Sequence, residues 1–371
     1  MFAGRLPPSM SARWLAAALT ALSLSCASTK GKATPASEAP TEAPGETETE
    51  AAPEPKLSAK ERALQAIEAR READRNAPTV ELPLRQIASE HIVLAVAVGD
   101  QPAMDYILDT GASMTVITPQ TRDSLGIAAD AGVAVKAAGA GGEVATEVRV
   151  IELEGVVVGE RTYDTIPAAV MNLDHLIAKL DHPVAGILGR NFLERHDVEL
   201  DLAGGALRFH GAGALARRDA DRLAEMRAVP FDRFPIGLIR IKVKLDGAHD
   251  LAGVFDLGAG RTVINWRAAA AAGLRPDSKG VTKASEAALG ADTQMMALRK
   301  ARFASVGLGD VTFADPELYI ADLPVFDTLG IGDEPAIVFG VNMVAGRTVV
   351  IDYENSTIYL SDPPGSSGSQ G

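Results

Sequence analysis

Asp109-Thr110-Gly111-Ala112-Ser113-Met114-Thr115-Val116-Ile117 is answered 147 residues later by Asp256-Leu257-Gly258-Ala259-Gly260-Arg261-Thr262-Val263-Ile264. Asp, Gly, Ala, Thr, Val and Ile recur at the same places in both stretches. Each stretch ends an alternating apolar run, Val93 to Leu108 in the first case and Ile239 to Phe255 in the second. Two aspartates at the tips of two related half-structures are what a carboxylate pair sharing one proton requires.

The repeat continues downstream. Gly186-Ile187-Leu188-Gly189-Arg190-Asn191-Phe192 follows the first copy, and Ile337-Val338-Phe339-Gly340-Val341-Asn342-Met343 follows the second. Gly189 lies 80 residues after Asp109, and Gly340 lies 84 after Asp256. Twelve residues past each glycine another aspartate, Asp201 or Asp352, sits in an apolar strand. Three anchors in one order at nearly one spacing mark an internal duplication. Short alternating runs such as His91 to Asp100 and Leu238 to Gly247 read as antiparallel strands with one buried face. Helical stretches are few: Gln120 to Gly126 and Trp266 to Gly273 behind the two Asp loops, and Ala214 to Ala228 as a charged connector.

With Asp-Thr-Gly-Ala at 109–112 and Ile-Leu-Gly-Arg-Asn at 187–191, the chain resembles the retropepsin-like aspartic proteases. The second half matches more weakly. The resemblance implies an all-β, two-lobed pepsin/retropepsin-like acid protease fold with pseudo-twofold related halves and few short helices. Retroviral members place one such unit in each chain of a homodimer. This chain looks like both units fused, with the axis between Asp109 and Asp256.

The implied activity is that of an aspartic endopeptidase, a hydrolase in which a water activated by Asp109 and Asp256 cuts peptide bonds in extended protein segments. No cofactor and no metal are expected. Thr110, Gly111, Ala112, Gly258 and Ala259 would support the pair, the glycines by letting backbone approach the carboxylates. In the family a Thr or Ser after each Asp bonds across the axis, and Leu257 removes one half of that mutual grip. Ala112 and Ala259 stand where pepsin-like enzymes carry a hydroxyl that bonds the aspartate, so a mildly acidic to neutral working pH is implied. Arg190 matches the family's arginine, but Val341 replaces it in the second half. The acid that arginine pairs with in the family is Ser113 here. Gly139, Gly141 and Gly142, and Gly290 in the second half, are candidate flap tips that close over a substrate. A rival reading keeps the fold and drops the chemistry: an inactive envelope lipoprotein acting as a peptide-binding or scaffold module, which Leu257 and Val341 favour. A third reading pairs the first halves of two chains into an Asp109–Asp109 site.

Other chemistries find little support. A net charge of −13 argues against a nucleic-acid partner, which would want a basic stripe. The six histidines form no i,i+4 pair and no His-Glu-x-x-His motif, which disfavours zinc, and most read as surface residues. Ser113 lacks the nucleophile-elbow pattern. Asp201 and Asp352 could look like a decoy pair, but lying within apolar strands and lacking a following glycine, they read as structural.

Residues 1–26 read as a signal peptide, with an apolar core from Trp14 to Leu24 that is too short to span a bilayer. The single cysteine, Cys26, ends a stretch resembling a bacterial lipoprotein cleavage box, which implies lipidation there and an exported protein held at a bacterial envelope membrane by a lipid anchor. Residues 27–56 are rich in Ala, Pro, Glu, Thr and Ser and read as a disordered linker. A charged helix is expected over 57–77, a first retropepsin-like domain over 78–212, a connecting helix over 213–229 and a second domain over 230–362. The Gly/Ser-rich 363–371 reads as a disordered tail. The expected partners are a peptide or unfolded protein and the membrane, and the chain is expected to act as a monomer.

Overall fold

The structure, a computed structural model, describes residues 59–137, 146–180, 182–288 and 296–363. Among the described residues, 59–69 and 70–363 belong to separate units. The described part of the first unit is the start of helix Ala59–Arg75, built from the strong helix formers Ala, Glu, Leu and Arg. Everything below concerns the second unit. Its first residues close that helix, and Asp74 there is buried between the guanidinium groups of Arg161 and Arg195.

Three sheets carry the chain, so the fold is all-β and two-lobed, with short helices between strands. The first lobe is an eight-stranded sheet and the second a ten-stranded one. Alternation in the sequence becomes alternation in burial. In strand Ile239–Leu245, Ile239, Ile241, Val243 and Leu245 are buried while Arg240, Lys242 and Lys244 are exposed. That is the signature of a sheet with one wet face.

The same local topology positions each Asp motif. Strand Met104–Leu108 runs parallel to Gly186–Leu188, and Gly186–Leu188 runs antiparallel to Thr115–Ile117. The loop from Asp109 to Met114 therefore hangs between two strands that flank one central strand. In the second lobe His249–Asp256, Ala336–Gly340 and Val263–Ile264 repeat the pattern.

A six-stranded sheet takes three strands from each half, in the order Val80–Pro83, Ala206–Gly211, His196–Asp201, Thr348–Asp352, Thr357–Leu360 and Arg227–Pro230. Its two central strands meet antiparallel, with Glu199 opposite Val350, Asp197 opposite Asp352 and Asp201 opposite Thr348. Buried residues of both halves join one apolar cluster, among them Leu108, Phe192, Phe255, Leu257 and Phe339.

The connector differs from the single helix read over Ala214 to Ala228. It forms two short helices, Ala214–Arg218 and Ala220–Ala224, broken at Asp219, and then strand Arg227–Pro230 of the shared sheet. Asp219 takes φ −141° and ψ 37°, outside the helical region, which ends the first helix. Helices Asp174–Leu180 and Pro324–Thr328 were not expected from the pattern.

Candidate active site

The two Asp loops are folded by the same internal bonds. Asp109 Oδ1 accepts the amide N–H groups of Gly111 at 2.7 Å and Ala112 at 3.1 Å. Asp256 Oδ1 accepts those of Gly258 at 2.9 Å and Ala259 at 3.1 Å. Ala112 and Ala259 thus serve through their backbone. The downstream glycines close the loops. Gly189 packs against the carbonyls of Met114 and Ala112, where a Cβ would lie 2.4 Å from Met114 O. Gly340 does the same against Ala259 and Arg261. The amide of Arg190 then donates to Ala112 O at 2.8 Å, and that of Val341 to Ala259 O at 2.9 Å.

Asn191 and Asn342 complete each frame. Asn191 Oδ1 accepts from the amide and hydroxyl of Thr115, and its Nδ2 donates to Pro167 O. Asn342 Oδ1 accepts the Thr262 hydroxyl at 2.8 Å. These threonines are fully buried, so the asparagines satisfy groups that burial would otherwise leave unpaired.

The loops cross over one another. A Cβ built on Gly111 would lie 2.5 Å from Asp256 Cγ, and one on Gly258 would lie 2.2 Å from Asp109 Cγ. Each carboxyl therefore rests on the glycine of the opposite motif. The two carboxyl groups are close enough for charge and proton sharing to couple them.

That contact decides where the proton resides. Burial raises the pKa of both carboxyls. For Asp256, the negative charge of Asp109 raises it further, well above the usual carboxyl range. For Asp109, the amides of Gly111 and Ala112, the adjoining Asp256 carboxyl and the nearby His91 oppose the effect of burial. The pair shares one proton, and the pull on it is stronger at Asp256 than at Asp109.

The Thr110 hydroxyl is buried and spans the axis, donating to Phe255 O at 2.9 Å and accepting from Leu257 N at 2.8 Å. The Leu257 side chain points into the shared core with no exposed surface. Ser113, where the family's acid would stand, is exposed. Arg190 instead pairs with Glu194, four residues on, at 2.5 Å. The candidate flap glycines Gly139, Gly141, Gly142 and Gly290, and Cys26, lie outside the described residues.

The structure separates the two later aspartates and corrects one sequence reading. Asp201 does not face Asp352: it stands opposite Thr348, and its carboxylate accepts the Gly204 amide. Asp352 faces Asp197 instead. The histidines are the correction: among those with described side chains, none is fully exposed. His196 is fully buried, its ring nitrogens at 2.8 Å from the Tyr163 hydroxyl and 3.1 Å from Phe192 O. His210 is buried against Glu199. His91 is half-buried on the turn before strand Ile92–Val98, close enough to Asp109 for the two charges to interact. Its place 18 residues before Asp109 gave no signal of that. Among the described residues no cluster of His, Cys, Asp or Glu could hold a metal ion.

A family model described as aspartyl protease matches residues 94–192 and 241–343, and each span contains one Asp motif with its glycine anchor. Among solved structures, the chain is similar to a retropepsin-like aspartic protease from Rickettsia conorii, with 20% identity over 36% of this chain and 91% of that one, at a TM-score of 0.28. It is also similar to basic 7S globulin from soybean, with 9% identity over 76% of this chain and 94% of that one, at a TM-score of 0.44. No curated protein matches.

Proposed function

This chain belongs to the aspartyl protease family, whose model accounts for both of its halves, and from that premise we propose that it is an endopeptidase with Asp109 and Asp256 as its working dyad. The supporting observation is that each carboxyl is seated on the opposite motif's glycine, which brings the two acids together at the axis.

The chemistry follows from the protonation state. Asp109, ionised, takes a proton from a water held between the carboxyls, and the water oxygen bonds to the substrate carbonyl carbon. Asp256 donates its proton to the carbonyl oxygen as charge develops there. Collapse of the tetrahedral species breaks the C–N bond. Asp109 passes its proton to the leaving nitrogen, and the diol hydroxyl returns one to Asp256 as the carboxylic acid forms. Acid–base help of this kind contributes about 10²–10⁴-fold. Extended, flexible protein segments suit such a cleft, because strand-like backbone pairing needs an unfolded partner. An exported, Cys26-lipidated form belongs to the same proposal on the strength of residues 1–26.

The test is cleavage of an unfolded protein by the purified chain. Asp109→Asn and Asp256→Asn should each abolish it. Turnover that survives both single substitutions sinks the dyad, and loss with Asp256→Asn excludes a site built from two copies of Asp109.

A further inference from the structure

A turn of the first half is docked on the second half's Asp loop. In it the Ile87 amide donates to His91 O at 3.0 Å and the Glu90 amide to Ile87 O at 2.8 Å. The second half has the same turn 147 residues on, with Phe234 N to Leu238 O at 2.9 Å and Gly237 N to Phe234 O at 2.7 Å. Both turns need a left-handed residue. Gly237 supplies it at φ 86°, but the first turn uses Glu90 at φ 69°. A side chain there costs about 1–2 kcal/mol of backbone strain. Such strain persists where the surroundings hold it, and it is often kept for function.

What Glu90 offers is its carboxylate, which is ion-paired with the Arg261 guanidinium. Arg261 lies five residues after Asp256. Its guanidinium also lies within electrostatic reach of Tyr319 of its own half. Beside this pair, Gly260 packs on Ser89 O so closely that a Cβ would lie 2.3 Å away. The other turn meets an arginine too: a Cβ on Gly237 would lie 2.7 Å from Arg190 Cζ. Each half thus sends an arginine onto the opposite turn, Arg190 in one direction and Arg261 in the other. Val341, standing where a second Arg190 would be, leaves that task to Arg261.

We propose that Glu90 and Arg261 are positioning residues of the dyad: their ion pair, with the Ser89–Gly260 contact beside it, holds the Asp256 loop against the first half and takes over from the hydroxyl that Leu257 lacks. The side chains remain 32% and 45% exposed, so the pair contributes little to stability and its effect is geometric. Its effect on turnover rests on the peptidase reading.

The experiment uses the full chain with Glu90→Gln, Arg261→Gln, Arg261→Lys and the swap Glu90→Arg with Arg261→Glu. One readout is kcat and KM on an unfolded protein. The other is the titration of the Asp109 and Asp256 carboxyls by ¹³C NMR, which needs no turnover. Each Gln variant should lower kcat by on the order of tenfold or more with KM changed less than about threefold, and should move the dyad titration. Arg261→Lys and the swap should recover part of both. Unchanged kcat and titration in the Gln variants overturn the proposal, as does a loss that neither Arg261→Lys nor the swap relieves. Should the unaltered chain cleave nothing, the peptidase reading fails, and the titration alone decides the brace: shifted in the Gln variants, it stands; unshifted, it falls.

Discussion

Thr110 and Leu257 hold equivalent positions in the two motifs, yet the Thr110 hydroxyl alone bonds in both directions across the axis, donating to Phe255 O and accepting from Leu257 N. One side chain of the pair thus satisfies two backbone groups of the opposite loop. The isosteric Thr110→Val removes both bonds and leaves those groups buried. Each unpaired buried group costs about 1–3 kcal/mol. The expected result in denaturant unfolding is a loss of about 2–6 kcal/mol for the two groups together, with a fall in kcat. Thr110→Ser keeps the hydroxyl and should retain most of both. Equal stability of the Val and Ser variants would contradict the account.

Gly111 and Gly258 allow no side chain. A methyl group on either would overlap the opposite carboxyl and force the loops apart. Displacements of about 1 Å at a reacting centre cost about 100-fold in rate. Gly111→Ala and Gly258→Ala are therefore expected to lose cleavage by at least that factor while circular dichroism shows the sheets intact. An alanine variant with near-normal kcat would mean that the carboxyls do not lie over these glycines.

Much of this was legible in the chain. The duplicated Asp motif and its glycine anchor give the fold, because a recurring order of anchors fixes the topology of each half. Leu257 read as a broken grip, since a sequence shows the missing hydroxyl but not that Thr110 can reach two backbone groups. His91 was invisible as a neighbour of Asp109 because a hairpin, not a motif, brings it there. The repeat made Asp201 and Asp352 look like a pair. Two antiparallel strands related by a twofold axis run in opposite senses, so only the residues on the axis, Glu199 and Val350, face their own equivalents. Asp352 consequently meets Asp197.

The pH–rate profile checks the electrostatics of the dyad. Burial and the Asp109 charge hold Asp256 protonated well above the usual range, which moves the alkaline limb upward. A bell with its maximum at mildly acidic to neutral pH is expected, and activity confined to strong acid would contradict it. Burial lowers the pKa of His91, and its charge, when present, favours the ionised form of Asp109. His91→Gln removes that charge, so the acid limb should move to higher pH. An unmoved acid limb would show that His91 does not act on the dyad.

Asp197 and Asp352 make a second carboxylate pair, at the seam between the halves. Both are fully buried and directly opposite in register. Asp197 accepts the amides of Gly213 at 2.7 Å and Leu215 at 2.9 Å. Asp352 accepts the amide and side chain of Asn355. Burial, opposed by the Leu215 amide and reinforced by the charge of Asp352, pushes the Asp197 pKa up from 3.8 to about 6. The folded state therefore binds the proton more tightly than the unfolded one. The resulting stability is complete below the unfolded value and is lost as pH rises through the folded value. A shift of that size corresponds to on the order of 3 kcal/mol between pH 4 and pH 7. The dyad contributes with the same sign, so the comparison needed is between Asp197→Asn and the unaltered chain. Unfolding in guanidinium at pH 4, 5, 6 and 7 should show the unaltered chain losing more stability across that window than the variant, because asparagine does not titrate. Parallel curves would mean that Asp197 is ionised throughout and that the seam tolerates both charges.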